Sequence, residues 1–538
     1  MASIRHWLGS RSFYLASLAL IAFSLTVSPF GISVGTFLLA ASWLAGPPLR
    51  ERWQRLRQRP SLLLFISIFF LCLIGMTYTS NLHFGLHDII IKLPLLVLPL
   101  ILGTSTPLSM GEGRVLLAAL LAGLWVSSLT ALGVLLGWID HPFRDIREIS
   151  IFISHIRLSL ILGVTLQAVL YLLLRRWQQL TKAEKVFYLF SISWFPFFLF
   201  ILKSLTGFLM LTLLLASAYL LLLQKARGFM LRYFLIILGV TIVLLSAAWL
   251  SRATDRFYRR DTLPGLATLG TTANGNPYDP PANLEEVENG HYVWLYVCEK
   301  ELRRAWNHAS PVPYDSLDQA GQPLRTTLIR YMSSKGLRKD SLGFSRMSPE
   351  DIRNVERGMT NHLFSHRLAL YPYFYVLLWE WEQYKKGGLS GHSHIQRLAY
   401  LRTGWHIARD HLWTGVGTGD VPDTFKKYYR QEKSPLSPEW QLRAHNQYLT
   451  YWITYGIFGA LWFLVAFFAP FFMERGYRNF FALVFIIIAA LSMLYEDTLE
   501  TQAGVYFVAF FYAWFIFGMA EALPVKPEKY GNDGKDNR

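Results

Sequence analysis

Residues 443–459 read Arg-Ala-His-Asn-Gln-Tyr-Leu-Thr-Tyr-Trp-Ile-Thr-Tyr-Gly-Ile-Phe-Gly. A polar start, Arg443 to Gln447, runs straight into an apolar segment that continues to about Met473. That order sends the chain into a membrane with His445 at the mouth. An imidazole titrates near neutral pH. With a guanidinium two residues away it has the chemistry of a base acting on a lipid-linked anionic substrate. The same residues suit a plainer role, in which His445 and Asn446 are interfacial polar groups that start a helix.

Other charges lie close to apolar segments, where charge is costly and points to function. On the side that receives the long polar region these are Lys92, Arg157 and Lys203, with Glu496, Asp497 and Glu500 between the last two apolar segments. Cations there suit a diphosphate headgroup through charge-assisted hydrogen bonds. The alternative is snorkelling or topology anchoring, with the three acids serving as partners of the cations. Gly415-Val416-Gly417-Thr418-Gly419 is a glycine-rich turn that lacks the preceding strand of a dinucleotide loop. No Asp-x-Asp stands in an outer loop and no Cys/His cluster has zinc spacing, so neither a metal nor a cofactor is expected. Cys72 and Cys298 differ too much in setting to suggest a disulfide.

The elements that must position these residues are membrane spans. The 538 residues are 53% hydrophobic and only 16% charged, and runs of about 20 apolar residues recur, which is the composition of a polytopic membrane protein. About twelve spans are expected, near 12–27, 30–46, 61–77, 88–104, 114–137, 151–174, 186–202, 204–223, 230–250, 447–472, 479–495 and 502–520. The first is read as an uncleaved span rather than a signal peptide. The pair around Pro196 and Lys203 has the character of a bent or re-entrant segment. Nucleic acid is not the partner implied by the net charge of +16, because the excess sits in short loops between spans. Arg50, Arg52, Arg55, Arg57 and Arg59 crowd one such loop, and Arg175, Arg176, Lys182 and Lys185 another. The opposite side holds only Lys92, Arg144, Arg147, Arg157 and Lys203 in its short segments. Positive charge marks the cytoplasmic side, so both termini are placed in the cytoplasm and the long region 251–443 outside.

Four parts follow: an N-terminal membrane bundle 1–250, an outer loop or cap domain 251–443, a C-terminal bundle 444–523, and a polar cytoplasmic tail 524–538. In the outer region, residues 262–290 read as irregular loop. Residues 284–308, 348–385 and 394–412 have helical periodicity, and in the last Arg402, His406 and Arg409 share a face. The fold class is therefore all-α, with a large helical outer loop. Gly456 and Ala460, four apart, allow close helix packing below the site.

His445-Asn446, nine residues, Gly456, two residues and Gly459 together match the signature of the bacterial O-antigen ligase family. Arg402-Thr-Gly-Trp405 followed by Gly415-Val-Gly-Thr-Gly419 also resembles the Arg-x-x-Trp and Gly-x-Gly-x-Gly stretches of the wider ligase and polymerase superfamily. The resemblance covers the span layout and roughly residues 395–510. It implies a GT-C-like membrane fold and glycan transfer from undecaprenyl diphosphate to an acceptor, without metal, at the periplasmic face of the bacterial inner membrane. His445 would be the general base, or would orient the acceptor hydroxyl, which attacks the anomeric carbon with inversion. Arg402, Arg157 and Arg443 would bind the diphosphate. Asn446, Gly456, Gly459 and Glu496 would support the site. Many relatives carry an Arg after the Ser in a Ser-Arg-Thr/Gly stretch. This chain has Lys203-Ser204-Leu205-Thr206-Gly207, so either Lys203 replaces that cation or the pocket differs.

The reading favoured by the histidine motif is an O-antigen ligase with lipid A–core as acceptor. A polymerase of the lipid-linked glycan, a protein O-oligosaccharyltransferase and a non-enzymatic lipid-linked glycan transporter stand as alternatives. Against the transporter are the single large outer loop, the missing internal repeat and the clustering of polar residues on one side.

Overall fold

The computed structural model describes residues 7–143, 145–226, 228–264, 269–366, 369–385 and 393–519. Arg144 and the tail 524–538 of the sequence reading lie outside the described residues. The chain forms two compact units, one of residues up to Leu235 together with those from Gln396 onward, the other Ile236–Ile395.

In the first unit the apolar segments are helices: α1 Arg11–Ser24, α2 Pro29–Ala45, α3 Leu49–Arg57, α4 Pro60–Met76, α5 Leu82–Lys92, α6 Pro94–Thr104, α7 Met110–Leu135, α8 His155–Arg175, α9 Lys182–Ile201 and α10 Leu205–Lys225. Helix α11, Phe229–Tyr258, begins in this unit and ends in the other. The starts follow from the sequence: Ser10, Ser28, Asn81, Ser109, Ser154, Thr181 and Ser204 each cap a helix by accepting a backbone N–H of its first turn. Helix α8 is apolar on every side, as a helix must be that is surrounded by others. It packs against α9, α10 and the later helix Phe480–Tyr495, and 89% of its apolar window is buried.

The protein is an all-α polytopic membrane protein. Among the described residues, seven helices are long and apolar enough to cross a membrane: α5 with α6, α7, α8, α9, α10, α11 and the later helix Gln447–Met473. Helices α2 and α3 make an eighth candidate, bent by 104° at Gly46-Pro47-Pro48. The other four expected segments are shorter apolar helices. The segment expected at 88–104 starts earlier, at Leu82. The pair around Pro196 and Lys203 is a helical hairpin, α9 and α10 joined through Leu202, Lys203 and Ser204.

The second unit contains α12 Glu299–Ala309, α13 Leu324–Ser334, α14 Pro349–Glu356 and α15 Leu370–Lys385. Its core gathers Trp306, Tyr314, Leu328, Tyr331 and Met332. Two expectations are corrected here. The helix expected over 284–308 begins only at Glu299, because Asn289-Gly290 turns a short antiparallel hairpin, β1 Val287–Glu288 with β2 His291–Tyr292. Both turn residues have positive φ, 51° and 94°, as a tight hairpin turn requires. The helix expected over 348–385 is divided into α14 and α15, with Gly358 at φ 86° ending the first.

The chain returns to the first unit through α16 Ser393–Asp410 and α17 Val421–Gln431, then α18 Gln447–Met473, α19 Phe480–Tyr495 and α20 Gln502–Tyr512. Helix α18 is broken at Gly456 (φ 70°, ψ −178°), a region open only to glycine. The break frees backbone groups that water cannot reach, and each must find a partner. The glycine-rich turn supplies them. Val416 N–H donates to Ile453 O (2.9 Å), Gly417 N–H to Thr454 O (2.9 Å), and Ile457 N–H to Leu412 O (2.8 Å). Thr418 anchors the same turn to α4 through Cys72 O (2.8 Å). Gly456 therefore packs against the backbone of Trp413 and Thr414, not against a second helix as its spacing from Ala460 suggested.

A Cβ at Gly456 would lie 2.0 Å from Trp413 O, whereas one at Gly111 in α7 meets almost nothing. We expect Gly456→Ala to lower stability by at least the ~1–3 kcal/mol of a disfavoured backbone conformation. Gly111→Ala is expected to be neutral or stabilising by up to about 1 kcal/mol. Thermal unfolding in detergent checks the pair. Equal melting temperatures for the two variants would contradict the wedge.

Candidate active site

Asn446 caps α18: its Oδ1 accepts from Leu449 N–H (2.9 Å) while its Nδ2 donates to Leu494 O (2.8 Å). The plainer role foreseen for this pair thus belongs to Asn446. His445 sits one residue outside, in the left-handed region at φ 49°. A non-glycine residue there is uncommon and strained by roughly 1–3 kcal/mol, and such strain gathers at functional sites. What holds it is the link 496–501 between α19 and α20. Asp497 Oδ2 accepts the His445 N–H (3.2 Å), and its Oδ1 accepts from Thr450 Oγ1 (2.7 Å). Gln447 completes the clasp, donating to Glu500 Oε1 (3.0 Å) and accepting from Leu499 N–H (2.6 Å).

The imidazole faces a carboxylate. His445 Nδ1 lies 3.6 Å from Glu496 Oε2, just beyond hydrogen-bond range, and its ring is 5.4 Å from that of Tyr400. Glu496 Oε1 accepts from Arg397 Nη2 at 2.5 Å, and Arg397 Nη1 donates to Tyr495 O (3.0 Å). Burial alone would push the Glu496 carboxyl up. His445, Arg397 and Arg157 outweigh it and hold it below the usual range. Its neighbour Asp497 is pushed up by burial and by Glu500. Glu500 is buried as well, yet Lys92, Arg443 and Gln447 hold it well below the ordinary carboxylate value.

The cations foreseen for a diphosphate are distributed unequally. Lys92 is fully buried between Asp88 (2.6 Å) and Glu500 (3.1 Å). Arg443 donates to Glu500 Oε2 (2.9 Å) and lies over the Phe84 ring. Arg157 is buried and donates to Asp497 O (3.2 Å) and Thr498 Oγ1 (3.4 Å). It also lines, with Glu496, a cavity of about 400 Å³ whose other walls include Leu25, Ile32, Phe152 and Ile156. His445, Arg397 and Arg443 keep 25%, 26% and 25% of their side chains exposed, against 2% for Lys92. They are the members of the cluster that can change partners.

Of the residues foreseen from the sequence, His445, Asn446, Arg443, Glu496 and Arg157 come together. Gly456 and Gly459 lie deeper in α18, at its break. Lys203 occupies the α9–α10 turn at φ 48°. Arg402 is exposed on α16 and has no hydrogen-bond or ion-pair partner among the described residues. Its neighbours Thr403 and His406 both bond Glu432. Trp405, of the same motif, packs edge-on against Trp452 of α18.

Sequence reasoning missed Arg397, Tyr400 and Asp88. The signal for Arg397 was present: Tyr400, Gly404, Ile407 and Ala408 form the buried stripe of α16, and Arg397 continues it by one turn. Five residues separate Arg397 from Arg402, about 140° around a helix, so they serve different faces. Asp88 stands one turn before Lys92, the spacing of a helical ion pair.

Fold and site define a polytopic membrane protein with a histidine–carboxylate pair at the mouth of a broken helix. The family model described as O-antigen ligase matches residues 366–464 of this chain. The match holds Arg397, Arg402, the glycine-rich turn, Arg443, His445, Asn446, Gly456 and Gly459; it stops short of Glu496. None of the curated proteins compared matches the chain.

Two outcomes test the division of the cations. Removing one partner of a buried pair strands the other, at about 3–5 kcal/mol. We expect Lys92→Met to lower the melting temperature by that measure. Arg402→Ala, at an exposed position, should stay within ~0.5 kcal/mol of the parent. The second concerns pH. Because the folded-state Glu496 carboxyl is depressed, its contribution is fully present above the unfolded carboxylate value and is lost as pH falls through the folded one. Melting temperature followed from about pH 7 down to pH 3, across the carboxylate range, should show Glu496→Gln with a shallower acid loss than the parent. Parallel curves would remove Glu496 from the network.

Proposed function

We propose that the protein transfers a glycan from undecaprenyl diphosphate to lipid A–core, at the periplasmic face of the bacterial inner membrane. The observation that carries this reading is the chain His445–Glu496–Arg397 beside a cavity lined by Arg157. A carboxylate facing Nδ1 favours the tautomer with its proton there, which leaves the Nε2 lone pair as the base. Arg397 fixes the carboxylate in turn, so the imidazole is oriented before substrate arrives. Nε2 takes the proton of the acceptor hydroxyl, and that oxygen attacks the anomeric carbon. The bond from the anomeric carbon to the phosphate oxygen breaks on the opposite face, its electrons leave with the diphosphate, and configuration inverts. Arg443 and Arg157 stabilise the charge that develops on the leaving group, and fixed cations in a partly dry cleft do this better than water. Arg402 and Lys203 supply further positive charge for the headgroup. The apolar walls of the Arg157 cavity suit the first units of a polyprenyl chain.

The fold class, the family match over 366–464 and this geometry support glycan transfer of the ligase or polymerase type. Lipid A–core is the acceptor we favour because the histidine signature begins α18. The test is deletion of the gene in its host and restoration with the parent or His445→Ala, with surface lipopolysaccharide resolved on a gel. The parent should restore the long-chain ladder, and His445→Ala should leave bare core with lipid-linked polymer accumulating. In a reconstituted transfer assay, loss of the base should lower kcat by about 10²–10⁴. Core bearing one repeat unit, with polymer that never lengthens, would make the protein a polymerase. Normal lipopolysaccharide in the deletion strain would overturn both readings.

A further inference from the structure

We propose that the second unit carries a saccharide-binding pocket. A cavity of about 390 Å³ lies within residues 236–395, between the last turn of α11, the Asn289–Gly290 hairpin and α15. Small-ligand sites occupy about 300–1,000 Å³. None of the residues around His445 contributes to it.

The floor of the cavity is satisfied and rigid. Buried Glu288 receives Arg330 Nε (2.7 Å), Asn361 Nδ2 (2.9 Å) and the Tyr375 hydroxyl (3.3 Å), and that hydroxyl accepts the Asn289 N–H (3.0 Å). The rim is polar and held in place, with capacity to spare. Glu286 accepts from Trp294 Nε1 (2.7 Å) and from Asn283 Nδ2 (3.3 Å). Glu382 accepts from the Tyr258 hydroxyl (2.8 Å) and from Lys385 Nζ (2.9 Å). A carboxylate has about four lone-pair positions, so each can still accept from a ligand. Tyr258 and Trp379 add aromatic surface beside these groups, and Gln383 adds an amide.

Aromatic surface bordered by fixed carboxylates and amides matches a ligand with an apolar C–H face and a girdle of hydroxyl donors, which is the chemistry of a sugar ring. A purely apolar ligand would leave the rim unpaired. Four carboxylates line the cavity against two guanidiniums, and one of these, Arg330, is already committed to Glu288. That balance disfavours phosphate and uronate groups and selects neutral or aminated sugars. Two sources offer such units, the transferred glycan and the outer part of the acceptor core. The choice between these two rests on the glycan-transfer reading; the saccharide chemistry of the pocket does not.

The test uses the full chain in lipid nanodiscs and two probes released by mild acid from the host lipopolysaccharide, a core oligosaccharide and an O-polysaccharide fragment, followed by saturation-transfer NMR. At least one probe should bind. Trp379→Ala and Glu286→Gln should each weaken binding tenfold or more, while Gly111→Ala in α7, which lines neither site, should not change it. An oligogalacturonate should fail to bind. Binding of the core alone assigns the pocket to the acceptor, and of the polysaccharide alone to the donor chain. The proposal is overturned if neither probe binds the parent, or if either variant, folded by circular dichroism, binds as the parent does. Probe binding together with normal lipopolysaccharide in a deletion strain would keep the pocket and remove the transfer reading.

Discussion

Buried charge in an apolar setting must be neutralised, and the link 496–501 is where this chain meets that demand. Asp88, Glu496, Asp497 and Glu500 face Lys92, Arg157, Arg397 and Arg443 in one cluster. These residues come from α5, α8, α16, the segment leading into α18 and the α19–α20 link, so satisfying the charges brings five parts of the chain to one place. An uncompensated member would cost several kcal/mol, which makes the arrangement all-or-none rather than adjustable. It also limits what the cations can do. Lys92 is consumed by the fold, whereas Arg397 and Arg443 keep a quarter of their side chains exposed.

Two departures from regular backbone depend on that frame. His445 is held left-handed by a carboxylate that accepts its N–H. Eleven residues on, α18 breaks at Gly456, and the glycine-rich turn takes up the freed backbone groups. Gly415 belongs to the same solution: its own φ is 69°, and a Cβ there would lie 2.4 Å from Thr454 O. The turn is neither a nucleotide loop nor an ordinary connection. It is the piece of backbone that makes a discontinuous membrane helix tolerable.

The sequence made some of this legible and hid the rest for physical reasons. Apolar runs showed where nearly every helix of the first unit lies, since length and hydropathy are properties of single segments. The partnership of acids and cations was foreseeable in kind, but pairing across hundreds of residues, such as Lys92 with Glu500, leaves no local trace. The expected span of 88–104 starts later than helix α5 because His83, Gly85 and His87 dilute the apolar character of that helix's first turns. Arg397 was passed over for Arg402 because Arg402 carries the Arg-x-x-Trp resemblance, although it stands on the exposed side of α16. In the second unit, Asn289-Gly290 was a strong hairpin signal that aromatic periodicity masked.

The division of labour between two adjacent residues argues most directly for chemistry at His445. If the pair only began a helix, Asn446 would be sufficient: it caps α18 and ties the cap to the end of α19. His445 adds nothing to that cap. Its strained backbone is stabilised by Asp497, its ring is set between Tyr400 and Glu496, and Glu496 is itself fixed by Arg397. A carboxylate that faces an imidazole the helix does not need, and is itself fixed by a guanidinium, sets that ring in one orientation, which is what a base meeting a hydroxyl would need. The spacing to Glu496 fits this as well. At 3.6 Å Glu496 Oε2 faces Nδ1 closely enough to orient the ring by charge.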